Sequence, residues 1–230
     1  MKRKLFIFIG VFCLFQLKTI SSFSQDQSYL KISMGADLLG VQSNDRNFGF
    51  IPFSKINSFP SFRIDTKPVI YNSESIEYYF NVGAGFTKKG FKYSFKPDSV
   101  YYFKKSEMQI YIGIGFTLNE FRIYKNNLPI SLTINGFSSS GTILREYINM
   151  KLINSDIFAN ESFMYGMSAR LDLTLLPGKK RDLFLFYNVD YILKEYLMKQ
   201  SNSKYQFVTH SIGLAFRFIN GYYEPYYLGK

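Results

Sequence analysis

The sequence contains no tryptophan, one cysteine and one histidine among its 230 residues. The cysteine, Cys13, lies close to the amino terminus, so the rest of the chain has no thiol with which to form a disulfide. With so few of these residues, no cluster of histidine, cysteine and carboxylate side chains occurs at metal-ligand spacing. We therefore predict no metal site and no cofactor.

The chain beyond residue 24 also lacks an apolar run long enough for a membrane-spanning helix. The first 24 residues resemble a secretory signal: a basic start at Lys2–Lys4, an apolar run over Leu5–Leu17, and small residues at Ser22 and Ser24. A helical anchor is the competing interpretation, but the run is short and is interrupted by polar residues. Cleavage after Ser24 removes four basic groups and no acidic group, which lowers the formal charge from +11 to +7. An exported chain of this kind enters a membrane only with strands.

The chain does contain repeated alternation between apolar residues and small or polar ones. In Met108–Leu118 every second residue is apolar, and the residues between are glycine, glutamine, tyrosine and threonine. A strand with this pattern has two different faces. Its length matches the roughly 9 to 11 residues with which a tilted strand crosses the bilayer core.

Seven further stretches alternate in the same way. The predicted strands are Tyr29–Leu39, Phe62–Val69, Ile76–Thr87, Met108–Leu118, Ile130–Asn135, Tyr165–Leu175, Leu183–Tyr191 and Val208–Phe218. Their connections are in turn long, short, long, intermediate, long, short and long, and outer-membrane barrels show this asymmetry between their two ends. The longest predicted connection is 137–162, in which the pattern over Ile143–Ile153 favours neither helix nor strand.

The predicted fold is all-β: an eight-stranded antiparallel up-and-down transmembrane β-barrel in the bacterial outer membrane. It occupies residues 25–218, between a cleaved signal peptide (1–24) and a C-terminal tail (219–230). A soluble barrel of the lipocalin kind shows the same alternation with its apolar face inward, and its outer face then carries many lysines and glutamates. Here the polar faces consist mainly of glycine, serine, threonine, asparagine and tyrosine. We therefore place the apolar face outward, toward lipid.

The interior of an eight-stranded barrel is narrow enough for side chains to fill it. Several charged residues share the inward parity, and we predict that they pair across the strands as a plug, because buried charges need partners. A path for protons or ions is the alternative. The predicted lumen residues are Asp37, Arg63, Asp65, Glu77, Arg170, Asp172, Asp190 and Arg217.

Two short stretches resemble a known family. Val82–Tyr93, VGAGFTKKGFKY, resembles the Gly-x-Gly-aromatic-x-x-Lys-Gly stretch of the small PorT-like outer-membrane β-barrel family, and Ile212–Phe218, IGLAFRF, is similar to that family's last strand. The chain departs from the family pattern in lacking a proline and a lysine near Ile112 and Gly115, and in continuing past its last strand. The resemblance implies an outer-membrane protein. Because members of the family have diverse roles, it implies no particular activity.

Residues 88–105 form the most informative connection. Lys96-Pro97-Asp98-Ser99 is typical of a type I turn, so we predict that the third and fourth strands continue above the membrane as a projecting hairpin. Parity places five aromatic residues on the lumen side of this hairpin: Phe91, Tyr93, Phe95, Tyr101 and Phe103. They form either a binding surface for a peptide, glycan or protein, or a small core beneath the other loops.

Three lysines of the opposite parity, Lys88, Lys92 and Lys104, are expected to face outward just above Phe86. At that height an anionic leaflet attracts each of them by about 1 kcal/mol. We therefore predict contact with outer-membrane lipids, including anionic lipopolysaccharide. A nucleic-acid partner is not expected, since an exported membrane protein rarely meets one.

The single histidine, His210, has outward parity between Val208 and Ile212. Barrel enzymes that modify lipids can carry a histidine and a serine on the lipid side, but Ser211 has the opposite parity here. We predict no catalytic residue and a monomeric barrel with a structural or interaction role, exerted through its long outer loops. An envelope protein is one candidate partner. A lipid-modifying enzyme and a narrow channel are the alternatives.

Overall fold

The computed structural model describes residues 28–43, 59–96, 99–123, 126–148, 151–152, 163–176, 181–193, 196–198 and 203–219. Within these ranges, side chains are described for residues 29–38, 60–88, 106–121, 128–141, 163–176, 182–193 and 206–218. The predicted signal peptide and all but the first residue of the predicted tail lie outside the described residues.

All eight predicted strands are present, and each is longer than predicted. They are β1 Ser28–Ser43, β2 Phe59–Asn72, β3 Ile76–Lys96, β4 Ser99–Leu118, β5 Ile130–Ile148, β6 Phe163–Leu176, β7 Arg181–Ile192 and β8 Ser203–Ile219. Short strands at Arg122–Ile123 and Asn126–Asn127 pair with each other, while Lys151–Leu152 pairs with β5 and Tyr196–Met198 with β8. The described residues include no helix with the length and apolar character needed to span a membrane.

The sheet is closed. Each strand pairs antiparallel with the next, and β1 pairs with β8. Following paired residues once around the barrel from Thr87 on β3 leads back to β3 at Glu77, a stagger of ten residues. A stagger of this size corresponds to strands tilted by about 40° from the barrel axis. We call the end with the β2–β3 and β6–β7 turns the inner end, and the opposite end the outer end.

The apolar face of the strands points away from the barrel axis, as predicted. Ile112 is 64% exposed and Ile114 is 60% exposed. Tyr111, which precedes Ile112 on the same strand and points to the opposite face, is 3% exposed. A soluble barrel would bury these isoleucines, so the lipocalin-like alternative is wrong.

Outward aromatic residues lie toward both ends of the apolar surface. At the inner end the Tyr78 ring lies 6.1 Å from Tyr71 and 6.5 Å from Phe116, measured between centroids. At the outer end the exposed aromatic residues include Phe62, Phe86, Phe163, Tyr165 and Tyr191. Phe80 and Tyr187 are exposed midway between these ends, so the belt is apolar and not purely aliphatic. An apolar belt with aromatic residues toward both interfaces is the surface of a transmembrane β-barrel.

The predicted connection 137–162 is wrong over its first half, because β5 continues to Ile148. Phe137 is buried inside the barrel, and its ring centroid lies 5.6 Å from that of Tyr111. The run Gly136–Gly141 is rich in residues that favour turns, but pairing with β4 and β6 on both sides satisfies its backbone and overrides this local preference. Ile143–Ile148, where the pattern was ambiguous, is strand.

Strands continue beyond the barrel wall at the outer end in two places: β1 and β8 stay paired up to Ser43 and Tyr205, and β3, β4 and β5 form a longer extension. β2 pairs with β3 only as far as Thr87, whereas β3 and β4 stay paired up to Lys96 and Ser99. β5 pairs with β4 as far as Ile148. We call this three-stranded extension, residues 88–96, 99–107 and 141–148, the blade. Nine residues of extended chain reach about 30 Å along the strand direction, which agrees with the predicted projecting hairpin. Pro97 and Asp98 of the predicted turn lie outside the described residues.

Candidate functional site: a charged lumen and a projecting blade

Strand alternation places a set of charged side chains inside the barrel. All eight residues of the predicted lumen network are buried, with Arg63 the most exposed of them at 8%. Four further charged residues are also buried there: Lys31, Lys67, Glu107 and Asp182. The lysines have the inward parity of their predicted strands, and the two acids lie one residue beyond a predicted strand end. Extending the alternation by one residue would have found both acids.

Asp172 is the carboxylate on which three cations converge. Its Oδ2 lies 2.6 Å from Lys31 Nζ and 3.8 Å from Lys67 Nζ, and its Oδ1 lies 2.9 Å from Arg170 Nη2. All four side chains are at most 2% exposed. Each ion pair is therefore made where water screens it little, so removing one member leaves the others without compensation.

Arg170 links this cluster to a second carboxylate. Its Nη1 lies 3.5 Å from Asp65 Oδ2, and its Nη2 donates to Ser33 Oγ at 2.8 Å. Asp65 also accepts from Arg63, whose Nε lies 2.7 Å from Oδ1 and 2.9 Å from Oδ2. Lys31, Asp172, Arg170, Asp65 and Arg63 thus form a continuous ionic chain across the lumen.

Each cation of this ionic chain, and Lys67 beside it, also faces an aromatic ring. Ring centroids lie 4.3 Å from Lys31 Nζ (Phe184), 4.2 Å from Lys67 Nζ (Tyr79), 3.6 Å from Arg63 Cζ (Tyr111) and 4.3 Å from Arg170 Cζ (Phe186). Such contacts stabilise a desolvated cation further.

Two inward glycines leave the space that these rings occupy. A Cβ atom at Gly115 would lie 2.6 Å from the Tyr79 ring, and one at Gly35 would lie 2.7 Å from the Phe186 ring. Both distances are shorter than any packed carbon contact, so a larger residue would displace the ring. The glycines are therefore part of the interior packing.

Hydrogen-bonded groups fill both ends of the lumen. At the inner end Arg217 pairs with Asp182, and the Tyr29 hydroxyl donates to Glu77 Oε1 at 3.2 Å. At the outer end the acids are held by neutral donors: Thr87 Oγ1 donates to Asp37, and Asn188 Nδ2 donates to Asp190 Oδ1 at 2.7 Å. Met164, Ile192 and Phe207 are buried beyond these acids. A small cavity remains beside Arg63, lined also by Gln109.

The blade carries the other predicted site residues. Phe91 pairs directly with Phe103, and Tyr93 with Tyr101, while Phe95 lies at a register shift. The side chains of these five aromatic residues, and those of Lys92 and Lys104, lie outside the described side chains. Lys88 is half-buried on β3, opposite Ser106.

Several solved structures share this topology. Neisserial surface protein A is 12% identical with a TM-score of 0.45, and the match covers 83% of this chain and 96% of that one. Ail, the attachment invasion locus protein of Yersinia pestis, is 10% identical with a TM-score of 0.43, over 85% and 100% of the two chains. The outer membrane protein OprG from Pseudomonas aeruginosa is 7% identical with a TM-score of 0.45, over 86% and 99%.

No family model and no curated protein matches the chain. The resemblance to the PorT-like family therefore stays a prediction. At these identities and TM-scores, the likeness to solved structures concerns the arrangement of strands and carries no information on activity.

His210 lies on the outward face near the outer end. Its Nδ1 is 2.7 Å from the Tyr187 hydroxyl, and the two rings stack with centroids 6.0 Å apart. Leu38 and Val189 are its direct strand neighbours, and Ser211 is buried in the lumen. The direct strand neighbours of the imidazole are therefore aliphatic, and the adjacent Ser211 faces the other way. The described residues also contain no group of three or more histidine, cysteine or acidic side chains arranged to hold a metal ion.

Proposed function

We propose that the chain is a bacterial outer-membrane protein whose barrel is a non-conducting anchor and whose blade and outer loops make contacts outside the membrane. The observation that carries this proposal is the blade, which extends three paired strands beyond the end of the barrel wall. A barrel that served only to span the membrane would not need paired strands beyond the apolar belt.

The surface of the barrel supports the membrane part of the proposal. The belt and the aromatic residues toward its two ends suit a bilayer core and its two interfaces. Lys88 follows the exposed Phe86 by two residues at the outer end of the belt, a position suited to anionic headgroups such as those of lipopolysaccharide. Lys92 and Lys104 extend this basic character along the blade. We propose that the protein functions as a monomer, with lipid around the whole belt.

The filled lumen argues against a channel, because an ion would have to displace buried ion pairs such as Lys31–Asp172. The surroundings of His210 favour a structural role over a lipid-modifying enzyme, because its imidazole hydrogen-bonds and stacks with Tyr187 on the lipid-facing side and its direct strand neighbours, Leu38 and Val189, are aliphatic. The protein acts through binding. Its partners are outer-membrane lipids and a protein of the envelope or of the cell's surroundings.

Shortening the blade tests this function. In the variant, Asn-Gly joins Lys89 directly to Lys105, two residues that pair across the hairpin. We expect the shortened barrel to fold and to keep its heat-modifiable gel mobility. Proteins that cross-link to the wild type in its native envelope should be lost from the variant.

Neither protein should give stable conductance steps in planar bilayers, because barrel residues and not the blade fill the lumen. Stable steps from the wild type would favour the channel. An unchanged set of cross-linked proteins would show that the blade makes no external contact.

A further inference from the structure

The described strands cover neither edge of the blade completely, and the longer uncovered stretch lies on β3. β3 pairs with β4 as far as Lys96, but on its other side it pairs with β2 only as far as Thr87. At the opposite edge, β5 pairs with β6 only as far as Ser140, and Lys151–Leu152 pairs with Tyr147 and Ile148. The backbone N–H and C=O groups along one side of Lys88–Lys96 therefore form a template for a further strand.

The charge around this edge is almost entirely of one sign. Residues 88–105 contain one aspartate, Asp98, and six lysines: Lys88, Lys89, Lys92, Lys96, Lys104 and Lys105. Four of these lysines belong to the edge segment itself. A second copy of the chain would bring like charges together across the new strand pair, which is destabilising. The same charge favours an acidic partner.

We infer that the edge of β3, Lys88–Lys96, binds an extended acidic polypeptide segment by strand addition. This inference rests on the proposed function and names the class of partner that the blade takes. Backbone hydrogen bonds supply affinity, and carboxylates at alternate positions of the added strand meet the lysines. An anionic lipid would use the lysines but has no amide groups to match the edge, so the exposed backbone favours a polypeptide.

The test uses the full-length barrel in nanodiscs and a labelled peptide of alternating valine and glutamate, about nine residues long to match the edge. A second peptide has the same sequence with every amide N-methylated, which keeps the charge and removes the backbone donors. We expect the unmodified peptide to bind at least about tenfold more tightly, because each lost hydrogen bond costs on the order of 1 kcal/mol. Fluorescence anisotropy measures both dissociation constants.

Charge reversal provides the matched protein variants. Lys88→Glu with Lys92→Glu should weaken binding of the unmodified peptide by at least about tenfold, since both residues share one face of the strand and two attractions become repulsions. Lys179→Glu with Lys180→Glu makes the same change in net charge in the β6–β7 connection at the inner end, and should leave binding unchanged. Alternate amides of residues 88–96 bond to β4 and should be protected from hydrogen exchange in every sample, whereas the amides between them, which point to the open edge, should be protected only when the unmodified peptide is present.

Equal binding of the two peptides would overturn the inference, because the attraction would then be ionic alone. Slow exchange without peptide at the edge-facing amides of residues 88–96 would also overturn it, since another part of the chain would cover the edge. Protection by nanodiscs containing lipopolysaccharide, without peptide, would assign the edge to lipid. If the double variant at Lys88 and Lys92 keeps the cross-linked partners that the shortened blade loses, strand addition fails while the proposed function stands.

Discussion

Asp172→Asn should lower the free energy of unfolding of the barrel by about 3–5 kcal/mol, the cost of breaking a buried ion pair from one side. Asparagine has nearly the same size as aspartate, so the effect comes from charge. Lys31, Lys67 and Arg170 would then surround a neutral amide in a lumen where all of them are buried. Asp65 remains as a partner for Arg170 only, at 3.5 Å.

Urea unfolding of the barrel in lipid vesicles, followed by gel mobility, measures this loss. Glu74→Gln is the matched control, because it makes the same change from acid to amide on an exposed residue of the β2–β3 turn. We expect the control to stay within about 0.5 kcal/mol of the wild type. An unfolding free energy for Asp172→Asn equal to that of the control would mean that the lumen charges do not depend on one another.

Ile112→Arg should cost about 2–4 kcal/mol of stability in a bilayer, because the side chain faces lipid near the middle of the belt. Ile112 is among the most exposed apolar side chains described. Leu118→Arg is the control, since Leu118 ends β4 at the inner end, where an arginine reaches the interface. There the expected cost is about 0–1 kcal/mol.

The same vesicle assay compares both arginine variants with the wild type. Depth dependence is the informative result, because a purely steric effect of arginine would not distinguish two outward positions on one strand. Equal costs at Ile112 and Leu118 would contradict the placement of the belt across the bilayer.

Alternation alone was sufficient to predict the barrel and the facing of its strands. Met108–Leu118 shows why. Successive residues of this strand face lipid and the crowded lumen in turn, and these two environments favour different types of side chain. The outer strand ends were not predictable by this rule. Beyond Lys88 the chain leaves the belt, and the contrast between its faces ends while backbone pairing continues. Phe137 was missed because glycine and serines surround it in sequence.

The sequence showed which charged residues face inward but not how they pair. Lys31 and Asp172 lie on β1 and β6, which are not neighbours in the sheet, and their side chains meet across the lumen. Such contacts depend on the stagger of the barrel and on the space left by glycines such as Gly35. Both are properties of the closed sheet and not of any one strand. The same holds for Tyr187, whose contact with His210 depends on the β7–β8 register.

The central claim is that lipid surrounds the alternating apolar face. Because the chain contains no tryptophan, a single introduced tryptophan reports its position without background. Ile112→Trp and Tyr111→Trp place the same fluorophore at adjacent residues with opposite facing, in bilayers of lipid brominated along the acyl chain. We predict strong quenching of the fluorophore at position 112 and little at position 111. Stronger quenching at position 111 than at position 112 would contradict the claim.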